Sequence, residues 1–151
     1  MTKEQFIKLI LENEEMMYKI AMSMLSNEND CEDAIQSAIL TAYEKLSTLK
    51  HEEYFRTWLM RILINKCNKQ LRQRKRTAEI TESQTASTSS VEEVEVRTAV
   101  KALPLKIRQV IILYYSEQLT TKEISEILKI PKGTVLSRLD KGRKLLRLEL
   151  E

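Results

Sequence analysis

Apolar side chains recur at spacings of three and four residues along nearly the whole chain, and this period constrains the fold more than any other feature. It is the period of an α-helix with one buried face, and it does not fit strands, whose apolar side chains alternate. The chain of 151 residues contains only two Gly and two Pro, so few tight turns can interrupt its helices. The sequence therefore predicts an all-α protein, made of two small helical domains joined by a flexible linker.

The linker is predicted from composition. The stretch TAEITESQTASTSSVEEVE, residues 77–95, is dominated by Ser, Thr and Glu. Its first part contains too few apolar side chains to offset the conformational entropy that would be lost on ordering. We therefore expect a first domain over residues 1–76, a flexible linker over residues 77–90 and a second domain over residues 91–151.

Three helices are predicted in the first domain. The first begins after Thr2, with Gln5 as its capping partner, and runs without a break to about Leu25. Asp30 is the expected N-cap of the second helix. The third helix is expected over about residues 53–75, after a short loop.

Charge is distributed unevenly, although the formal net charge is only +3. Residues 1–53 carry five Lys and Arg against eleven Asp and Glu, whereas residues 54–76 carry eight basic residues and no acidic one. On the predicted third helix six of these residues form a basic face opposite an apolar stripe, in which Trp58 is expected to belong to the core. They are Arg56, Arg61, Lys66, Lys69, Arg72 and Arg76. Residues 101–151 form a second basic zone, with eleven basic and six acidic residues. Cationic faces of this kind suit the phosphates of a nucleic acid.

The segment TTKEISEILKIPKGTVLSRLDKGRKLL, residues 120–146, contains two helical patterns with different surfaces. Thr120 and Glu123 predict a capping box before the first helix, and Pro131 with Gly133 predicts the corner between the two. In the second helix the residues expected on the buried side are Val135, Leu139, Gly142 and Leu146. The residues expected on its exposed side are Thr134, Ser137, Arg138, Lys141 and Lys144.

This is the layout of a helix-turn-helix, in which a short helix braces a recognition helix that offers hydrogen-bonding and cationic side chains to the major groove. A simpler interpretation is an antiparallel helix pair with a solvated basic face. The capping box, the corner and the cationic face occur together, and this combination favours DNA binding.

Several classes of function are not favoured by the sequence. The chain has one His, two Gly and no glycine-rich phosphate loop, so we expect no catalytic site, metal site or cofactor. Cys31 and Cys67 form no CxxC motif and are expected to be reduced structural thiols. The acidic start MTKEQFIKLILENEE does not resemble a signal peptide, and no apolar run is long enough for a membrane span, so a cytoplasmic protein without direct membrane insertion is expected.

The motifs in both halves resemble one known family. The segment ALPLKIRQVIILYYSEQLTTKEISEILKIPKGTVLSRLDKGRKLLR resembles the promoter-binding C-terminal domain of bacterial RNA polymerase sigma factors. DCEDAIQSAILTAYEKL is similar to the sigma-factor helix that docks on the polymerase core, and YFRTWLMRILINKCNKQLRQRKR to the helix that meets the start-proximal promoter element. The short length, with only a linker between the halves, resembles the extracytoplasmic-function (ECF) group of the sigma-70 family.

The resemblance assigns roles to particular side chains. It implies that the core polymerase is bound by Asp33, Gln36, Ile39 and Leu40. It implies that start-proximal promoter DNA is met by Lys50, His51, Tyr54, Arg56, Arg61, Asn65, Lys66, Lys69 and Arg72. It implies that the upstream promoter element is met by Thr120, Thr121, Lys122, Lys132, Thr134, Ser137, Arg138 and Lys141. From the residues alone, Asp33 and Gln36 are equally well explained as solvated surface groups. For His51, a surface position in an acidic loop is the better explanation.

The expected function is that of a sigma factor, which binds core RNA polymerase and directs promoter recognition and opening without catalysing a reaction. The resemblance implies core RNA polymerase, promoter DNA and an anti-sigma factor as partners. A free-standing helix-turn-helix regulator, with N-terminal helices that dimerise or sense a signal, is the main alternative. A helical enzyme or adaptor with a basic tail is a third, and it would bind nucleic acid without sequence preference.

Overall fold

The structure is a computed structural model that describes residues 1–77 and 91–150, and the side chains of residues 1–74 and 95–150. The chain divides into two compact units, Met1–Gln84 and Thr85–Glu151. All regular elements in the described residues are helical, so the all-α prediction is confirmed. The predicted flexible linker lies outside the described residues, apart from its first residue, Thr77.

The described part of the first unit contains the helices α1 (Lys3–Glu12), α2 (Glu14–Leu25), α3 (Glu28–Glu44) and α4 (Phe55–Thr77). Two short 3-10 turns, Leu46–Thr48 and Glu52–Tyr54, connect α3 to α4. The predicted capping box of α1 is present. The Gln5 backbone amide donates to Thr2 Oγ1 at 3.2 Å, and the Thr2 backbone amide donates to the side-chain Oε1 of Gln5 at 2.8 Å. Two of the helix's first amides are thereby satisfied.

The prediction of one unbroken helix to Leu25 is wrong, because the chain breaks at Asn13. This residue has φ −107° and ψ 10°, outside the helical range of its neighbours. Its side-chain Nδ2 donates to the Leu9 carbonyl at 2.7 Å, the same oxygen that its backbone amide reaches at 3.2 Å. An asparagine that competes in this way for a backbone acceptor commonly ends a helix. The apolar period continues across the break, so periodicity alone did not reveal it.

The start of α3 also differs from the prediction. Asn27, not Asp30, is the N-cap, and its Oδ1 accepts from the Asp30 backbone amide at 3.2 Å. Asp30 lies in the first turn of the helix, where a carboxylate is favourable against the helix dipole. Its side chain forms an ion pair with Arg74 near the end of α4.

The core of the first unit lies where α3 packs on α4. Toward α4, α3 presents small buried residues at a spacing of four, which allows a close approach of the two helices. These residues are Ala34, Ala38 and Ala42. The buried residues of α4 are larger, namely Phe55, Leu59, Met60, Leu63, Ile64 and Cys67. Trp58, predicted to lie in the core, is half-buried beside Phe55, with ring centroids 5.7 Å apart.

The described part of the second unit contains α5 (Val91–Lys101), α6 (Leu105–Ile111), α7 (Thr121–Leu128) and α8 (Lys132–Leu150). A π-helical segment, Ile112–Ser116, continues α6. The predicted capping box at the start of α7 is present: Thr120 Oγ1 accepts from the Glu123 amide at 3.1 Å, and Glu123 Oε1 accepts from the Thr120 amide at 3.0 Å. The helix-turn-helix prediction is confirmed by α7 and α8.

The corner between α7 and α8 is built differently from the prediction. Gly133 lies inside the first turn of α8, and its φ is not positive. The left-handed residue is Lys129, with φ 56° and ψ 48°. The Ser125 hydroxyl stabilises the corner by donating to the Ile130 carbonyl at 2.6 Å. A lysine takes the position that a glycine usually occupies after a helix, and Pro131 then leads into α8.

The second unit is closed by α6 against α8, with Val110, Ile111, Val135 and Leu139 buried between them. Gly142 is required for this contact, because a Cβ at that position would lie 2.6 Å from Ile111 Cδ1. The buried stripe leaves the opposite side of α8 exposed, and this side carries Lys132, Ser137 and Lys141. Thr134 and Arg138, which were also expected to be exposed, are half-buried.

Candidate polymerase and nucleic-acid interfaces

The residues expected to bind the polymerase lie on the side of α3 that faces away from α4. Asp33, Gln36 and Leu40 are exposed, and Ile39 is half-buried. Leu40 retains 61% of its surface, which is high for a leucine in the middle of a helix. The three buried alanines on the opposite side of α3 fix this orientation. The result is a strip with one acidic, one amide and two apolar side chains, which is suited to a protein partner.

The loop before α4 brings two of the predicted promoter residues together. His51 and Tyr54 are exposed, and their rings meet edge to face with centroids 5.8 Å apart. A single 3-10 turn sets this geometry, since the Tyr54 amide donates to the His51 carbonyl at 3.1 Å. Tyr54 keeps 58% of its surface, and Lys50 beside the pair is exposed too. An exposed aromatic ring next to a cation can stack on an unpaired base.

Arg56 follows this pair in the first turn of α4 and is held by a residue that the sequence analysis missed. Its Nη1 donates to Asn13 Oδ1 at 3.0 Å, across a separation of 43 residues. Arg56 is nevertheless exposed, whereas Asn13 is buried. No local sequence signal indicates this contact, because it depends on how α1, α2 and α4 pack.

The predicted basic face of α4 is present. Its exposed members are Arg61, Asn65, Lys69 and Arg72, whereas Lys66 is half-buried. They lie opposite the buried Leu59, Leu63 and Cys67, so the face extends over about three turns of the helix. Donors in such a row are spaced to follow a DNA backbone.

One arginine of the same basic run faces inward. Arg74 pairs with Asp30, and its Nη1 donates to the Leu25 carbonyl at 3.1 Å. One turn earlier, Gln70 Nε2 donates to the Asp30 carbonyl at 2.9 Å. These contacts join the end of α4 to the α2–α3 junction. Arg74 therefore has a structural role in the first unit, and DNA binding is not needed to account for it.

The second unit places the predicted upstream contacts on two neighbouring surfaces. At the start of α7, Thr120 and Lys122 are exposed and Thr121 is half-buried. The Thr120 hydroxyl oxygen and backbone amide are already hydrogen-bonded in the capping box. The exposed cation at this helix end is Lys122. On α8, the exposed members are Lys132, Ser137 and Lys141, and the half-buried ones are Thr134 and Arg138.

The other flank of α8 carries a cluster that was not predicted. Arg143 Nε donates to Tyr115 Oη at 2.6 Å, and the guanidinium lies 5.7 Å from the ring centroids of both Tyr114 and Tyr115. This hydrogen bond, which Arg143 donates to Tyr115, raises the pKa of Arg143. The π-helical segment sets the register of the two tyrosines, which pack edge to face at 4.9 Å.

Burial shifts the pKa of three side chains, namely Cys31, Cys67 and Arg108. Cys31 and Cys67 are fully buried, and desolvation raises their pKa to about 11 and about 12 respectively. A raised pKa suppresses the reactive thiolate, which fits the predicted structural role. Arg108 is half-buried, and its Nη1 donates to the Lys101 carbonyl at 2.8 Å, while desolvation lowers its pKa.

Among the side chains that the structure describes, no three His, Cys, Asp or Glu residues come together in a group that could hold a metal ion. Within residues 1–77 and 91–150, no helix is long and apolar enough to cross a membrane.

Comparison with known proteins agrees with this geometry in both units. Residues 9–77 match the family Sigma-70 region 2, and residues 93–146 match Sigma-70, region 4. The chain is 31% identical to the ECF RNA polymerase sigma factor SigW of Bacillus subtilis strain 168, over 98% of this chain and 90% of that protein. It is 27% identical to the RNA polymerase sigma factor SigV of the same organism, over 99% of this chain and 93% of that protein.

Among solved structures, the fold is similar to that of the sigma factor RpoE from Bartonella quintana, which was crystallised in complex with the anti-sigma factor NepR. The TM-score is 0.86 at 24% identity, and the match covers 97% of each chain. This likeness supports the fold. Together with the two family matches and the relative at 31% identity, it leads to one conclusion. The chain belongs to the sigma-70 family of RNA polymerase sigma factors, in its extracytoplasmic-function group.

Proposed function

We propose that the two units divide the work of transcription initiation among three surfaces. The outward side of α3, with Asp33, Gln36, Ile39 and Leu40, binds core RNA polymerase. The loop before α4 and its exposed basic face bind the start-proximal promoter element and help to open it. The start of α7 and the exposed side of α8 bind the upstream element. The first unit is residues 1–76 and the second residues 91–151 in this proposal, with residues 77–90 as the linker.

One observation carries the proposal: each unit contains a long helix with a buried apolar side and an exposed side rich in donors and cations. On α4 the exposed row includes Arg61, Lys69 and Arg72, and on α8 it includes Lys132 and Lys141. Phosphate neutralisation supplies most of the affinity of such surfaces for DNA. Two of them on one chain are suited to two separated promoter elements.

Opening is proposed for the first unit because its exposed aromatic side chains lie beside the cationic row. Unstacking a base costs a few kcal/mol per step, which stacking on an aromatic ring at about 1–3 kcal/mol per base partly offsets. Tyr54, with His51 against its edge, is the exposed aromatic group in this position. The protein supplies binding energy and makes or breaks no covalent bond in this proposal.

The proposed partners are core RNA polymerase and promoter DNA, and the site of action is the cytoplasm, where those partners are found. An anti-sigma factor is a further proposed partner. The support for it is that the solved sigma factor with a similar fold was crystallised with one.

A footprinting experiment distinguishes this function from that of a free-standing regulator. DNA that the assembled holoenzyme selects from a random library is probed with the chain alone, with core polymerase alone and with both. The proposal predicts two separated protected segments, with strand opening at the start-proximal one, only when both proteins are present. Protection by the chain alone, over two symmetric half-sites, would instead indicate a dimeric regulator.

A further inference from the structure

Asn13 is a buried polar residue, and both the nitrogen and the oxygen of its side-chain amide form hydrogen bonds. It is 7% exposed. Nδ2 donates to the Leu9 carbonyl at 2.7 Å, and Oδ1 accepts from Arg56 Nη1 at 3.0 Å. The opposite assignment of the amide would place its oxygen against a carbonyl oxygen and its NH₂ group against a guanidinium, so the two contacts support each other. The backbone break between α1 and α2 therefore presents one fixed acceptor to α4.

Arg56 is a residue for which such an acceptor is needed. It lies in the first turn of α4, where the helix dipole disfavours a cation. An arginine side chain has many rotamers, so immobilising it on binding has an entropic cost. Holding Arg56 in advance removes part of that cost. Its exposed location one turn after the His51–Tyr54 pair places it beside the group proposed to receive an unpaired base.

The chemistry of the acceptor matters as well. A neutral amide orients a guanidinium without neutralising its positive charge. A carboxylate at the same position would form an ion pair with Arg56 and compete with DNA.

From this geometry we propose that Asn13 is a positioning residue, which orients the Arg56 guanidinium toward the opened strand of the promoter. The inference rests on the proposed function of Arg56 in the first unit. Asn13 itself touches no DNA in this proposal, so all of its effect on opening passes through Arg56.

A double-mutant cycle on promoter opening tests the inference, using the full chain bound to core polymerase. The readout is the fluorescence of a base analogue in the start-proximal element of a promoter selected by the holoenzyme. Asn13→Ala is expected to slow opening about fivefold, the size of one net hydrogen bond. In the Arg56→Ala background, Asn13→Ala is expected to have no further effect. Asn29→Ala, which alters an exposed asparagine in the first turn of α3, is the matched control and should leave opening unchanged.

The possible outcomes separate the inference from the proposed function. Effects of Asn13→Ala that are equal in both backgrounds, or no effect in either, would overturn the positioning role. No effect of Arg56→Ala itself would refute the promoter role of Arg56, and the inference would fall with it. In all variants, core affinity and the thermal unfolding of the first unit are measured in parallel, because a merely structural Asn13 would change those first.

Asn13→Ser provides a second test if the alanine variant does not fold. Its hydroxyl can still donate to the Leu9 carbonyl four residues back, but its side chain is too short to reach Arg56. Opening is expected to slow when Arg56 is present and to stay unchanged in the Arg56→Ala background. Equal slowing in both backgrounds, or opening at the wild-type rate, would contradict the proposal.

Discussion

The two glycines of this chain provide a matched pair of substitutions with opposite expected signs. Gly142 and Gly133 both lie in α8, and neither has a positive φ. A Cβ at Gly142 would lie 2.6 Å from Ile111 Cδ1, 2.7 Å from Ile111 Cγ1 and 3.0 Å from Ile107 Cγ2. A Cβ at Gly133 would meet nothing within 4 Å. The same added methyl group is therefore overpacked at one position and free at the other.

The net effects follow from two terms. Alanine in place of glycine inside a helix gains about 0.5–1 kcal/mol from reduced backbone entropy. At Gly142, overpacking against Ile111 costs about 1–3 kcal/mol, because that side chain is buried and has little room to move. We therefore expect Gly142→Ala to lower the free energy of unfolding of the second unit by about 1–2 kcal/mol. Gly133→Ala should raise it by about 0.5 kcal/mol.

Urea unfolding followed by circular dichroism measures both changes. The only Trp of the chain, Trp58, lies in the first unit, so its fluorescence reports that unit separately and serves as the internal control. Wild-type stability or better for Gly142→Ala would refute the close contact of α6 with α8. A destabilising Gly133→Ala would refute the account of the corner.

Three other perturbations test separate parts of the structure. Alkylation of Cys31 and Cys67 at pH 8 should require unfolding, as measured by mass spectrometry. Because burial raises the folded-state pKa of these thiols from 9.0 to about 11 and about 12, their stabilising contribution is complete below pH 9 and lost as pH rises through those values. Arg74→Ala should lower the free energy of unfolding of the first unit by about 1–3 kcal/mol, because it leaves the Leu25 carbonyl and Asp30 without this partner; an unchanged urea midpoint would contradict that role. Arg138→Ala should reduce transcription from a selected promoter by about tenfold while core affinity is retained, and equal losses in the two assays would contradict the role of α8.

Local patterns predicted the features that local chemistry determines. The capping boxes of Thr2 with Gln5 and Thr120 with Glu123 depend on residues three positions apart, and both are present. The basic face of α4 follows from helical spacing in the same way. The position of Gly142 in the buried stripe of α8 was also predicted, since it needs only the period of one helix.

The features that were missed depend on packing between distant parts of the chain. Asn13 breaks a helix whose apolar period is continuous, and its contact with Arg56 spans 43 residues. Arg74 belongs to a basic run by sequence, but it reaches Asp30 across 44 residues. At the corner, Pro131 and Gly133 were predicted to form the turn, whereas Lys129 adopts the left-handed conformation. The carbonyl of the next residue, Ile130, accepts a hydrogen bond from the Ser125 hydroxyl, and the amino-acid composition does not indicate this contact.

The affinity of the chain for core RNA polymerase, in the absence of DNA, tests the central claim most directly. The chain is labelled at its amino terminus and titrated with purified bacterial core enzyme, and fluorescence anisotropy is followed. We expect saturable one-to-one binding, weakened at least about tenfold in the double variant Asp33→Ala, Gln36→Ala, because a few residues carry most of the binding energy of an interface and the proposal places these two among them. Absence of binding by the folded chain, or equal affinity of the double variant, would contradict the assignment of this surface of α3 to the polymerase.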